Sequence, residues 1–152
     1  MKFSVSSSDL LKQLQIAGGA IGSNPVLPIL EDFLFTIQDN KLTIAATDLE
    51  TSISTELDIM SDSDGSIAVP AKILMDTLKQ LPQQPITFSV NESNFSIEIT
   101  SAYGKYKLAG ENSADFPSIP QADGETHISI PSATLSHGIT KTLFATDRKS
   151  VV

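Results

Sequence analysis

Asp48 and Glu50, in the stretch Ala46-Thr47-Asp48-Leu49-Glu50, are the residues whose spacing most invites a chemical reading. Two nearby carboxylates can divide general-acid and general-base work when their surroundings push their pKa values apart. On that reading the protein is a small-molecule hydrolase using Asp48 and Glu50 in a cleft between repeats. The other members of such a site are missing, since no His, Cys or basic residue stands near them in sequence. The competing role is a turn at a strand edge, where a carboxylate accepts backbone N–H groups. His127 and His137 are the two histidines and lack ligand spacing, and the chain has no cysteine. Neither a metal site, a cofactor nor a disulfide framework is therefore expected. Gly18, Gly19 and Gly22 follow a helical pattern instead of opening one after a strand, so they read as a helix end and turn, not as a phosphate loop.

Composition narrows the classes further. The 152 residues are 40% hydrophobic, enough for one ordinary domain and part of another. The apolar runs are short and broken by Ser, Thr and Asp, so no membrane span is predicted. The start, Met-Lys-Phe-Ser-Val, alternates apolar and polar residues and does not resemble a secretory signal. With no cysteine, a reducing, cytoplasmic setting is the expectation. A net charge of −8 argues against nucleic acid as a partner if only the sum is considered. The distribution says otherwise. Asp and Glu gather around 31–32, 48–64 and 111–115, while Lys12, Lys72, Lys79 and Lys141 fall in segments patterned as helices.

The elements carrying these residues repeat. Residues 3–14, 67–81 and 128–143 each open on apolar, small, apolar: Phe3-Ser4-Val5, Ile67-Ala68-Val69 and Ile128-Ser129-Ile130. Each then passes into helix-spaced apolar residues, giving a period of about sixty residues. Leu10, Leu11, Leu14 and Ala17 form the first helical stripe, with Ser8 as N-cap; Ile73, Leu74, Leu78 and Leu81 form the second, with Pro70 at its start. Alternation predicts strands over 33–38, 41–47 and 51–59, and again over 85–90, 95–100 and 103–110. Asp39-Asn40 is a two-residue hairpin turn, and 91–94 a second turn. Pro82 and Pro85 end the second helix. Two βαβββ units thus fill residues 1–110 and predict an α+β fold, with both helices on one face of a curved antiparallel sheet. The outward helix positions, including Lys12, Gln13, Gln15, Lys72, Asp76, Lys79 and Gln80, are either an ordinary solvated face or the lining of a surface for a polyanion.

Met-Lys-Phe-Ser-Val with Leu-Leu-Lys-Gln-Leu, the 24–30 stretch Asn-Pro-Val-Leu-Pro-Ile-Leu, Leu-Thr-Ile-Ala-Ala-Thr-Asp-Leu-Glu at 42–50, the segment 69–82 and Ala-Asp-Phe-Pro-Ser-Ile-Pro at 114–120 occur in this order. Together they resemble the bacterial DNA polymerase III beta subunit, the sliding clamp, and the resemblance runs from residue 1 to 146. It implies a DNA clamp fold, with three similar domains per chain, and two chains joined head to tail in a ring around duplex DNA. Helices line the hole and sheets form the outer wall. Such a subunit confers processivity without catalysis and without reading base sequence. The resemblance implies that Lys12, Gln15, Lys72 and Lys79 face DNA. It also places a loop contact at Asn24, where the family often has a basic residue and this chain has a neutral one. The strand containing Lys105, Tyr106, Lys107 and Leu108 corresponds to the edge that meets the partner chain. Polymerase, clamp loader and repair proteins would bind a pocket that lies mainly in a third domain, absent here. The expected organisation is a first clamp domain over 1–118, a linker over 119–126, the start of a second domain over 127–146, and a non-native tail over 147–152, a string that translated sequencing adapter can encode. A chain of this extent is expected to be monomeric and not to encircle DNA. Ile130, Leu135, Ile139, Leu143 and Phe144 would then lack the strands that should cover them.

Overall fold

The computed structural model describes residues 1–119 and 128–146, which fall in two compact units, Met1–Pro120 and Gln121–Val152. His127 and the expected tail over 147–152 lie outside the described residues.

In the first unit, β1 (Lys2–Ser6) leads into α1 (Ser7–Ala17), followed by β2 (Asp32–Gln38), β3 (Lys41–Thr47) and β4 (Ser52–Asp58). After the two-residue β5 (Met60–Ser61) the pattern restarts: β6 (Gly65–Pro70), α2 (Ala71–Gln80), β7 (Pro85–Val90), β8 (Ser96–Ser101) and β9 (Gly104–Ala109). The two βαβββ units are present at the expected positions. Asp39 and Asn40 both have positive φ, 51° and 61°, as a two-residue hairpin with the twist of its strands requires. Pro70 is the N-cap of α2, and the helix stops two residues before Pro82. The first helix starts earlier than expected: Ser6 is the N-cap and Ser8 lies inside α1. The cause is Ser7, which is 2% exposed. Its hydroxyl donates to the Pro82 carbonyl at 3.0 Å and accepts the Gln84 N–H at 3.1 Å, so the start of α1 is tied to the turn that follows α2.

The strands pair in a way the period does not announce. Among the described residues they form two antiparallel sheets, ordered β5-β1-β7-β8-β9 and β4-β3-β2-β6. The opening strand of each repeat leaves its own repeat and pairs with the other: β1 lies along β7, Phe3 opposite Phe88, and β6 lies along β2, Ile67 opposite Phe35. The sheets meet at two joints. At one, β4 passes through Ile59 into β5. At the other, Ala68 and Glu111 exchange backbone hydrogen bonds of 3.1 and 3.0 Å. Gly110 makes the second joint possible, because a Cβ there would sit 2.8 Å from the Ala68 carbonyl and 2.9 Å from that of Phe95.

One core serves both sheets and both helices. Phe3 and Phe88 stack at 4.7 Å from one sheet, and Phe35 from the other meets their rings at 6.5 and 6.3 Å. Leu10, Leu14 and Ala17 of α1 and Leu74 and Leu78 of α2 close over this core with no more than 1% exposure. Leu11 and Leu81 are partly buried at its margin. Ile73 departs from the expected stripe: it is 56% exposed, because Ala71, Leu74 and Leu78 already span the inward arc of a helix this short.

In the second unit, α3 (Ser132–Thr142) forms as expected, but Ile128–Ile130 form no strand. A strand needs a hydrogen-bonded neighbour, and among the described residues of this unit there is none. The apolar stripe is accordingly bare, with Leu135, Ile139, Leu143 and Phe144 all at least 50% exposed.

Because Phe35 is where the two sheets touch, Phe35→Ala should cost about 3–5 kcal/mol and lower the urea midpoint of the whole first unit. A loss below about 1 kcal/mol in equilibrium unfolding would contradict this placement.

Candidate nucleic-acid interface

Of the lysines singled out from the sequence, Lys12, Lys72 and Lys79 lie on α1 and α2, which pack against each other, while Lys141 lies on α3 and Lys105 and Lys107 on β9. Lys12 is in the middle of α1, with Gln15 less than a turn further on; Lys72 is the second residue of α2 and Lys79 is in its last turn. All four side chains are exposed, as is Asn24 in the loop after α1. That loop comes close to the second helix: a concavity of about 530 Å³ is lined by Gly22, Ser23, Glu31, Lys72, Asp76 and Lys79 among others. The acid lies mostly elsewhere. Asp39, Asp48, Glu50, Glu56, Asp58, Asp62, Asp64, Glu92 and Glu98 all stand on strands or the turns between them. Two helical carboxylates escaped the sequence reading as partners of the lysines. Asp9 lies 3.3 Å from the Lys12 ammonium and Asp76 lies 3.6 Å from that of Lys79. Their Asp-x-x-Lys spacing was the available signal.

The strand proposed as a chain-to-chain edge, β9, does end its sheet. Its side chains alternate between the core and solvent. Leu108 is only 8% exposed and Tyr106 is half-buried, and both pack on the domain's own core. Alternation forces this: with Lys105 and Lys107 outward, Tyr106 and Leu108 must point in. Lys105 bonds Glu98 of the neighbouring strand at 2.9 Å, which holds the Glu98 carboxyl below the usual carboxylate range. What β9 offers outward is chiefly unpaired backbone and two lysines.

Asp48 closes its own turn. Its Oδ1 accepts the N–H groups of Glu50 at 3.0 Å and Thr51 at 2.6 Å, across a Leu49 with φ of 80°. Glu50 is exposed beside it. Among the described residues no group of three or more His, Asp or Glu is placed to hold a metal ion. His137 is exposed on α3. No helix of the described residues is long and apolar enough to cross a membrane.

One buried carboxylate was not anticipated. Asp32 opens β2 on the face away from the main core, beside the smaller cluster of Ile29, Ala68 and Phe116, and is 6% exposed. Its Oδ2 has no hydrogen-bond partner among the described residues. Burial, reinforced by the charges of Glu111 and Glu31, raises its pKa from 3.8 to about 6. Opposite it stands Pro70, which has no N–H to offer. Since the folded-state value lies above the unfolded one, the stability associated with this group is complete below about pH 4 and is lost as pH rises through 6. Asp32→Asn should therefore stabilise the protein by about 1–2 kcal/mol at pH 7.5, an advantage that shrinks toward pH 4.5. Paired urea melts at the two pH values test this, and a difference independent of pH would refute it.

Known proteins resemble this chain in architecture and in sequence. The family model described as DNA polymerase III beta subunit, N-terminal domain, matches residues 1–120. A beta sliding clamp of Vibrio cholerae is 32% identical over 152 residues, covering 99% of this chain and 41% of the relative. A Vibrio harveyi beta sliding clamp sequence is 35% identical over 146 residues, covering 95% of this chain and 100% of the relative. The DNA polymerase III subunit beta from Pseudomonas aeruginosa superposes with a TM-score of 0.88 at 29% identity, over 99% of this chain and 41% of that one. A DNA polymerase sliding clamp from Bacillus subtilis, at 23% identity, shares the fold with a TM-score of 0.91, over 99% of this chain and 42% of that one. The chain thus spans about two fifths of the length of most of these relatives.

Proposed function

We propose, because this chain belongs to the DNA polymerase III beta-subunit family, that it supplies the first DNA-facing domain of a sliding clamp. The full-length protein would encircle duplex DNA as a head-to-tail dimer, without catalysis, and hold the replicative polymerase in the cytoplasm to its template. The observation that carries this reading is the exposure of Lys12, Lys72 and Lys79 on two helices packed side by side, while most carboxylates stand on strands and turns, where Lys2, Lys41, Lys105 and Lys107 offset only part of them. Such a surface attracts a phosphate backbone at a distance and repels it from the outer wall. Lys12, Lys72 and Lys79 would touch phosphates, with Gln15 and Asn24 as neutral hydrogen-bonding neighbours. Flexible lysines give diffuse contacts that carry no base information, which suits sliding. The free edge of β9 would meet a second clamp chain, with Lys105 and Lys107 facing acid across the joint and Tyr106 and Leu108 supporting the strand from within. The domain would extend over 1–118, with 119–126 as linker and 127–146 opening a second domain. Polymerase, loader and repair partners would bind parts of the longer protein.

For the 152-residue chain by itself, three lysine contacts imply weak binding to a short linear duplex, with log K falling against log salt at a slope of about −3 or less steep. Lys12→Ala/Lys72→Ala/Lys79→Ala should abolish that binding in fluorescence anisotropy or NMR titration at low salt. Unchanged affinity in the triple variant would overturn the assignment of the DNA face. The same chain should sediment as a monomer and wash off circular duplex in salt; retention would show that it closes a ring unaided.

A further inference from the structure

Each helix of the proposed DNA face carries the same local device at a different place. Asp9 and Lys12 on α1, and Asp76 and Lys79 on α2, are pairs three residues apart, 3.3 and 3.6 Å between charged atoms, with every one of the four side chains about half exposed or more. They are not two copies of one repeated feature. When the repeats are aligned on their buried leucines, Leu10 with Leu74 and Leu14 with Leu78, Lys12 falls on Asp76 and Gln15 on Lys79. Each pair therefore arises separately from its own helix. Exposed pairs of this kind add little to stability, so helix stability is a weak account of their presence at both sites. Lys72 has no carboxylate partner among the described residues.

Resting on the DNA-face reading above, we propose that Asp9 and Asp76 are tethered competitors for the phosphates that Lys12 and Lys79 bind, and that they set how weakly this surface holds the duplex. A phosphate approaching Lys12 must displace a carboxylate that cannot diffuse away. Once displaced, that carboxylate faces the phosphate as a like charge or takes up a cation from solution. Either way the contact releases less than one net counterion, so it is weaker and less salt-dependent than a contact made by an unpaired lysine. Of the three lysines, Lys72 alone would engage without first breaking an ion pair, although Glu31 and Asp76 line the same concavity. The face would then hold duplex through two contacts that each break an ion pair and one that does not, which keeps the paired contacts brief as the backbone slides past.

The test is duplex titration of the 152-residue chain over a range of low salt. Asp9→Asn/Asp76→Asn should tighten binding about 3- to 10-fold and steepen the salt slope by roughly one. Asp39→Asn/Asp58→Asn changes the net charge equally at a turn and a strand, and should shift affinity by less than twofold. Asp9→Glu/Asp76→Glu, which keeps both charges, should bind like the unaltered chain. Equal effects of the helical and control variants, or none from the helical one, would overturn the proposal while leaving the DNA face intact. If the triple lysine variant binds as well as the unaltered chain, the DNA face fails first and this inference falls with it.

Discussion

The exchange of opening strands between the two repeats is the constraint on which the domain depends. β1 completes the sheet built by β7, β8 and β9, and β6 completes the sheet built by β2, β3 and β4. Neither repeat can close a sheet alone, and neither can bury its phenylalanines alone: Phe3 finds Phe88 in the other repeat, and Phe35 reaches both from the opposite sheet. The helices follow from this, since α1 leaves the end of β1 and α2 leaves the end of β6. Strand exchange therefore brings them side by side over one core. Ser7 then fixes their relation by bonding the turn after α2. The lysines share a surface because the strands beneath them are shared.

Charge is arranged on this frame with two different local rules. On the strands, ion pairs such as Lys41 with Glu56 and Lys105 with Glu98 cross between neighbouring strands, with one short-range partner for each lysine. They protect edges and add little energy in solvent. On the helices the pairs run along one element, so they leave the outer face populated by cations whose partners sit a turn behind. Asp32 obeys neither rule. It stays buried at the start of β2 with one carboxylate oxygen unpartnered among the described residues, and burial raises its pKa so that stability there depends on pH.

Much of this was legible in the residues. Period-two alternation located the strands and the Asp39-Asn40 turn, and the repeated opening phrase located both helices within a residue or two. Strand partnership was not legible, because alternation records which face is buried and is silent about which neighbour supplies the hydrogen bonds. Ile73 was misplaced for a related reason: a helix of ten residues needs fewer inward positions than it has apolar residues, and only the packing decides which is left out. Of the candidate site, the lysines and their helices could be read directly. The burial of Asp32 at the start of β2, opposite Pro70, could not, since it depends on contacts made far along the chain.

The shared sheets also impose an order in time. During synthesis β1 is made first, yet its long partner β7 does not exist until Ile86 and Phe88 have been added. At ordinary rates of translation this is a delay on the order of ten seconds. Until then the strand of Phe3 and Val5 has only the two-residue β5 to pair with, once it has emerged. By contrast β2, β3 and β4 can pair as soon as they emerge, so the four-stranded sheet has a head start and lacks only β6. The nascent domain would thus assemble from its middle outward, with the first residues made among the last to be seated.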